Sequence, residues 1–105
     1  MEVTNRSTIT INFKKPFMDW SNALTPEFQM SEKMLGESTT YLVKGDFNNA
    51  EKCIKKYYKQ LFEEELEGQW TDENDWSQER TFKLFNEWFT YEISDLVIDL
   101  KKILM

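Results

Sequence analysis

Four acids between Trp70 and Arg80 are the residues of this chain best suited to chemistry. They are Asp72, Glu73, Asp75 and Glu79. Carboxylates are the ligands that Ca²⁺ and Mg²⁺ prefer, so a cation site is one interpretation. The spacing does not match an EF-hand loop, which has a central glycine and a distant glutamate. We favour a solvated loop whose acids cap the next helix, and we predict no metal and no cofactor.

The sequence lacks the residues that most often perform catalysis. The chain has no histidine, so no Ser-His-Asp or Cys-His device and no typical zinc site can form. Cys53 has no base nearby in sequence, which is typical of an inert thiol in a core. Paired carboxylates can perform acid–base work, but nothing distinguishes one pair among the nineteen acids. We predict no catalytic residue and keep a small carboxylate- or cation-dependent enzyme as an alternative.

Arg80 is the first base after twenty residues that contain none. Because acids surround it, we predict a partly buried ion pair with Glu65 that holds the loop, in preference to an anion site. Glu65 is itself unusual, since helical projection places it in line with Ile54 and Leu61 on an apolar face.

Trp70, Trp76 and Trp88 have two interpretations. Protein interfaces favour tryptophan, so the three side chains could form a surface for a partner. Long aromatic side chains at helical spacing usually point inward, and we therefore favour a role in sealing the core beneath the acidic loop.

The elements that position these residues follow from hydrophobic periodicity. We predict that residues 1–7 are loose and that the alternation over Thr8–Phe13 forms a strand. A short amphipathic helix then runs from Pro16 to about Leu24, and a second strand covers Thr39–Val43. Together they predict a βαβ start.

A long amphipathic helix follows, with Asn48 or Asp46 as its N-cap and Gly68 as the left-handed residue just past its end. Lysines fill its first half and glutamates its C-terminus. The helix dipole favours the reverse order by about 0.3–1 kcal/mol per charge, so packing must offset this arrangement.

The last segment is ambiguous. Apolar residues repeat at helical spacing from Phe82 to Ile103, which alone predicts one helix and a mostly α protein. Alternatively, an aromatic helix ends near Phe89 and a strand covers roughly Tyr91–Leu100. We favour the strand because it completes a three-stranded sheet. The predicted fold is α+β, a small mixed sheet packed against helices.

Composition and charge bound the class of protein. The 105 residues are 40% hydrophobic with only 3 glycines, which indicates one folded domain over residues 1–105. One cysteine, no basic and apolar leader and no long apolar run together predict a cytoplasmic protein that spans no membrane. Residues 1–60 carry nine Lys or Arg against seven Asp or Glu, whereas residues 61–105 carry four against twelve. An acidic half repels phosphate, so nucleic acid is excluded as a partner.

Several stretches resemble a family of small, acidic bacterial proteins of about this length, whose function is not established. The stretches are KKPFMDW, TYLV, YYKQLFEEEL, WTDENDW, RTFKLFNEWF and VIDL. Members of that family often carry a histidine and a serine in the segment that matches Ser94 and Asp95. This chain has no histidine, so a function that depends on it is absent or altered here.

Taken together, the sequence predicts a small non-enzymatic protein that binds another, basic protein through its acidic, tryptophan-rich second half. An inhibitor or immunity-type partner of a basic effector is a narrower form of the same hypothesis, because acidic charge would speed association. The oligomeric state is left open.

Overall fold

A three-stranded sheet and three α-helices account for most of the molecule. The computed structural model describes residues 2–4, 6–27, 29–35, 37–44 and 49–100. In chain order the elements are β1 (Glu2–Thr4), β2 (Arg6–Phe13), α1 (Lys15–Leu24), β3 (Ser38–Lys44), α2 (Ala50–Gln69), α3 (Phe82–Trp88), β4 (Phe89–Ser94) and β5 (Val97–Asp99). Short 3-10 turns lie at Glu32–Met34 and Glu73–Asp75.

The sheet has β2 at its centre, with β3 on one side and β4 on the other. Ile9 of β2 lies opposite Tyr41 of β3 and Ile93 of β4, and both pairings are antiparallel. The predicted α+β class is confirmed. The predicted mixed sheet is wrong, because α1 and the segment after it reverse the chain instead of returning it to the end where β2 began.

The two faces of β2 differ as its alternating sequence predicts. Ile9 and Ile11 are fully buried against the helices. On the opposite face, Thr8 and Thr10 are partly exposed, and the hydroxyl of Thr10 shares a 2.9 Å hydrogen bond with that of Thr40 on β3. The sheet therefore buries one face, which is common for antiparallel sheets.

Both ends of the described chain differ from the prediction. The segment expected to be loose contains β1, which pairs with β5, and β2 begins at Arg6. The strand expected over roughly 91–100 is confirmed, but it is divided into β4 and β5 around Asp95 and Leu96. The alternative of one helix to the end is wrong, because α3 ends at Trp88 and the residues after it pair with β2.

Local chemistry explains where the helices begin. Pro16 lies in the first turn of α1, as predicted. Asn49 caps α2, since its Oδ1 accepts from the backbone N–H of Lys52 at 2.8 Å. The predicted caps Asn48 and Asp46 lie outside the described residues, and Asn49 holds the position expected for them.

The end of α2 is a second correction. The helix continues through Gly68 to Gln69, and the N–H of Trp70 donates to the carbonyl of Leu66 at 2.9 Å. Gly68 is thus a helical residue and not the left-handed stop that its type suggested.

An aromatic cluster joins the helices to the sheet. Phe62 of α2 lies with its ring centroid 5.3 Å from Phe89 of β4 and 6.1 Å from Phe85 of α3. Phe17 of α1 contacts Phe89 at 5.2 Å. All four rings are buried in one core, and aromatic pairs at such distances add to the free energy of burial.

In the described ranges, no helix has the length and apolar character needed to cross a membrane.

Candidate functional site

The acidic loop is a hydrogen-bonded structure built on tryptophan. Trp76 is buried, and its indole N–H donates to the carbonyl of Trp70 at 2.7 Å. The indole of Trp70 in turn donates to Oδ2 of Asp75 at 3.0 Å. Trp20 of α1 donates to the backbone carbonyl of Asp75 at 2.9 Å. Three indoles therefore fix the loop over residues 70–79 and attach it to α1.

Two of the four loop acids accept hydrogen bonds from within the loop. Oδ1 of Asp72 accepts from the N–H of Asn74 at 3.0 Å, and Asp75 holds the indole of Trp70. Glu73 and Glu79 are exposed. Over the part of the chain that the structure describes, no three acids, cysteines or histidines converge in a way that could hold a metal ion.

Arg80 holds the far end of the loop, with a different partner from the one predicted. Its Nε lies 3.4 Å from Oε2 of Glu63, and its Nη1 donates to the carbonyl of Ser77 at 2.8 Å. The guanidinium also lies 5.9 Å from the centre of the Trp76 ring. The predicted pair with Glu65 is wrong, because two residues along a helix are about 200° apart and Glu65 faces away from Glu63.

Trp88 packs against the core. Its ring centroid is 5.5 Å from that of Phe62 and 6.2 Å from those of Phe17 and Trp20. Trp76 belongs to the core cluster, whereas Trp70 and Trp88 are partly exposed. The three tryptophans named from the sequence therefore do not form one continuous surface.

Glu65 is paired with a tyrosine that the sequence did not single out. Its Oε2 accepts from the hydroxyl of Tyr41 at 2.8 Å, across the gap between α2 and β3. Burial raises the pKa of the Glu65 carboxyl, and the nearby Glu64 raises it further, while the bond from Tyr41 acts in the opposite direction. Burial and the bond to Glu65 also raise the pKa of Tyr41.

Glu65 lines a cleft of about 270 Å³ between α1, β3 and the C-terminal half of α2, which we call the Glu65 cleft. Its lining residues are Phe13, Phe17, Met30, Glu37, Ser38, Thr39, Glu65, Gly68 and Gln69. Phe13 and Phe17 are in contact, with ring centroids 5.6 Å apart. The cleft thus combines aromatic walls with two carboxylates, and none of the described residues that line it is a lysine or arginine.

Gly68 faces this cleft without a packing reason to be glycine. A Cβ at this position would meet no atom within 4 Å. Glycine in a helix interior is less stable than alanine by roughly 0.5–1 kcal/mol, and this is an upper bound for Gly68, the last but one residue of α2. The residue therefore costs stability and keeps the cleft wall free of a side chain.

A set of acids on α2 and the loop forms what we call the acidic surface. Its members are Glu63, Glu64, Glu67, Asp72, Glu73, Asp75 and Glu79. The last turn of α2 contains no basic residue. Between positions 60 and 79, all of which the structure describes, there is no lysine or arginine, although Glu63 is paired with Arg80 just beyond this range.

Cys53 is fully buried in the core, and burial raises the pKa of its thiol. Since the thiolate is the reactive form, a raised pKa makes this cysteine a poor nucleophile.

Comparison with known proteins adds no relative from which a function can be transferred. No protein-family model, no curated protein and no solved structure matches the chain. The resemblance to small acidic bacterial proteins stays a prediction, and the function must be argued from the geometry.

Proposed function

We propose that this protein is a non-enzymatic cytoplasmic binding module that recognises a basic protein partner through the acidic surface. The observation that carries the proposal is the placement of Glu64 and Glu67, which are exposed near the C-terminus of α2 with no basic residue in the last turn. An inhibitor or immunity-type protein is a narrower case of the same proposal.

This placement is unfavourable for the isolated protein. Aligned peptide dipoles give a helix C-terminus the equivalent of roughly half a negative charge, and acids there are destabilising. Packing of α2 must offset this cost. A cationic partner would remove it, because its charge would complement both the carboxylates and the helix end.

The loop carboxylates support binding better than catalysis. Asp72 and Asp75 are held by a backbone N–H and an indole N–H, so each has a structural task. Glu63 is partly buried and pairs with Arg80. The other acids of the surface lie on exposed positions, where charge speeds encounter with a partner.

The test is affinity capture from native cell lysate with elution by a salt gradient, because electrostatic association weakens as ionic strength rises. We compare the wild type with a variant carrying Glu64→Gln, Glu67→Gln and Glu73→Gln. The control carries Glu27→Gln, Glu32→Gln and Glu92→Gln, which remove the same charge from exposed positions elsewhere.

We expect a basic protein that elutes from the wild type and the control at moderate salt but is lost from the acidic-surface variant. Equal retention by all three proteins would contradict the proposal. Equal loss from both variants would indicate that net charge alone, and not this surface, governs binding.

A further inference from the structure

The Glu65 cleft opens beside the acidic surface and has features that the surface lacks. Its carboxylate is partly buried and held in place, since the Tyr41 hydroxyl donates to Oε2 at 2.8 Å. Glu37 stands on the other side of the cleft, on exposed backbone just before β3. Phe13 and Phe17 supply an aromatic wall.

We propose that the Glu65 cleft receives a lysine or arginine side chain of the basic partner. The ammonium or guanidinium pairs with Glu65, and the aliphatic stem lies along Phe13 and Met30. This inference rests on the proposed function, and it names the anchor point within that function.

The residues that line the cleft favour a cationic side chain as its ligand. A carboxylate only accepts hydrogen bonds, and within the described part of the chain the cleft lining offers its two carboxylates no lysine or arginine. Aromatic faces attract ammonium and guanidinium groups, and a long basic side chain can bury its stem while its charge meets an acid.

An apolar anchor would fit less well. It would remove water from Glu65 without adding a donor to the one that Tyr41 supplies, and a partly buried carboxylate that loses water without gaining a donor is costly. The volume of about 270 Å³ leaves room for one inserted side chain.

Gly68 supplies a separate argument, because a Cβ there would enter open space at the cleft wall. Helix stability alone would favour alanine at this position. Because Gly68 has no side chain, the cleft wall leaves room for the aliphatic part of an inserted lysine or arginine.

The probe is N-acetyl-arginine N-methylamide, and its uncharged isostere N-acetyl-citrulline N-methylamide is the control ligand. Both are titrated into the ¹⁵N-labelled full chain and followed by amide chemical shifts. We expect the arginine probe to shift amides of residues 37–39 and 65–69, and the citrulline probe to bind about tenfold more weakly, roughly the effect of one charge-assisted hydrogen bond.

Two leucine variants test the location. Gly68→Leu places an apolar side chain at the cleft wall, where a Cβ meets no atom within 4 Å, and replaces a poor helix former by a good one, so we expect it to fold. Gln60→Leu is the control, because Gln60 is exposed on α2 and does not line the cleft. We expect Gly68→Leu to weaken the arginine probe about tenfold or more, and Gln60→Leu to leave it unchanged. Equal binding of the two probes, or wild-type binding by Gly68→Leu, would overturn the proposal.

Capture of the protein partner separates this inference from the function on which it rests. If Gly68→Leu retains the partner at wild-type salt while the acidic-surface variant loses it, the anchor is excluded and the proposed function stands. If neither change affects retention, the proposed function fails independently of how the arginine probe behaves.

Discussion

At the scale of single residues, Glu65 is a carboxylate in surroundings that disfavour its charge. It lies on the mostly apolar face of α2, where burial raises its pKa and disfavours the charged form. The bond from Tyr41 recovers part of that cost. A carboxylate that is unfavourable in the free protein is well placed to gain from a cation.

Replacement of Glu65 by glutamine tests this cost. Because the pKa of Glu65 is higher in the folded than in the unfolded protein, its contribution to the free energy of unfolding is greatest below the unfolded value of about 4.3. That contribution is lost as pH rises through the folded pKa. The carbonyl oxygen of glutamine can still accept from Tyr41 but carries no charge, so we expect Glu65→Gln to melt above the wild type at neutral pH.

The difference in melting temperature between Glu65→Gln and the wild type should shrink as pH falls toward the unfolded value. Thermal unfolding measured from about pH 4 to about pH 8 checks this. Glu27→Gln is the control, since Glu27 is exposed. A difference that does not change with pH would show that the ionisation of Glu65 has no effect on folding.

At the scale of elements, α2 carries its charges in the order that its dipole disfavours. Lysines occupy its first half and glutamates its last turns. Its stability must come from the apolar face that carries Ile54, Leu61 and Leu66, all of them buried. Tertiary packing usually decides helix stability, and here it outweighs the charge pattern.

Neutralising the end of α2 should therefore stabilise the protein. We expect the double variant Glu64→Gln and Glu67→Gln to raise the free energy of unfolding by about 0.3–1 kcal/mol per position at low salt. Urea unfolding at low and high salt measures the gain, which screening should reduce. A loss of stability would mean that these glutamates make stabilising contacts and are not in conflict with the helix end.

The loop between α2 and α3 depends on Arg80. The pair with Glu63 is worth little by itself, since the two side chains are 29% and 46% exposed. The bond to Ser77 and the contact with Trp76 add to it. The guanidinium therefore makes two interactions within the loop and one that joins the loop to α2.

We expect Arg80→Ala to lower the free energy of unfolding by about 1–2 kcal/mol, whereas the exposed Lys83→Ala changes it by about 0.5 kcal/mol or less. Chemical denaturation of the two variants side by side provides the comparison. Equal midpoints would contradict a structural role for Arg80.

At the scale of the whole molecule, the sequence predicts features that depend on neighbours along the chain. The alternation in β2, the proline in α1 and the apolar face of α2 are local signals, and each is found in the structure. After Phe89, the strand is predicted over the helix only because a third strand completes the sheet. Local periodicity there favoured a helix.

Features that depend on distant partners could not be predicted. Tyr41 of β3 donates a hydrogen bond to Glu65 of α2. Arg80 pairs with Glu63 because Glu63 lies on the side of α2 that faces Arg80. The Glu65 cleft likewise combines residues from three parts of the chain. The sequence identifies the individual acids, but it does not show which clefts form where separate elements pack together.

The pairing of β1 with β5 has a consequence for the order of folding. Val3 lies opposite Ile98, so the contact joins positions that are almost the whole described chain apart. Closing so long a loop has a large entropic cost, and a two-stranded pair returns little stability on its own. The three-stranded sheet must bring these strands together first. The β1–β5 pair should therefore form last and open first, and its amides should exchange with solvent faster than those at the centre of β2.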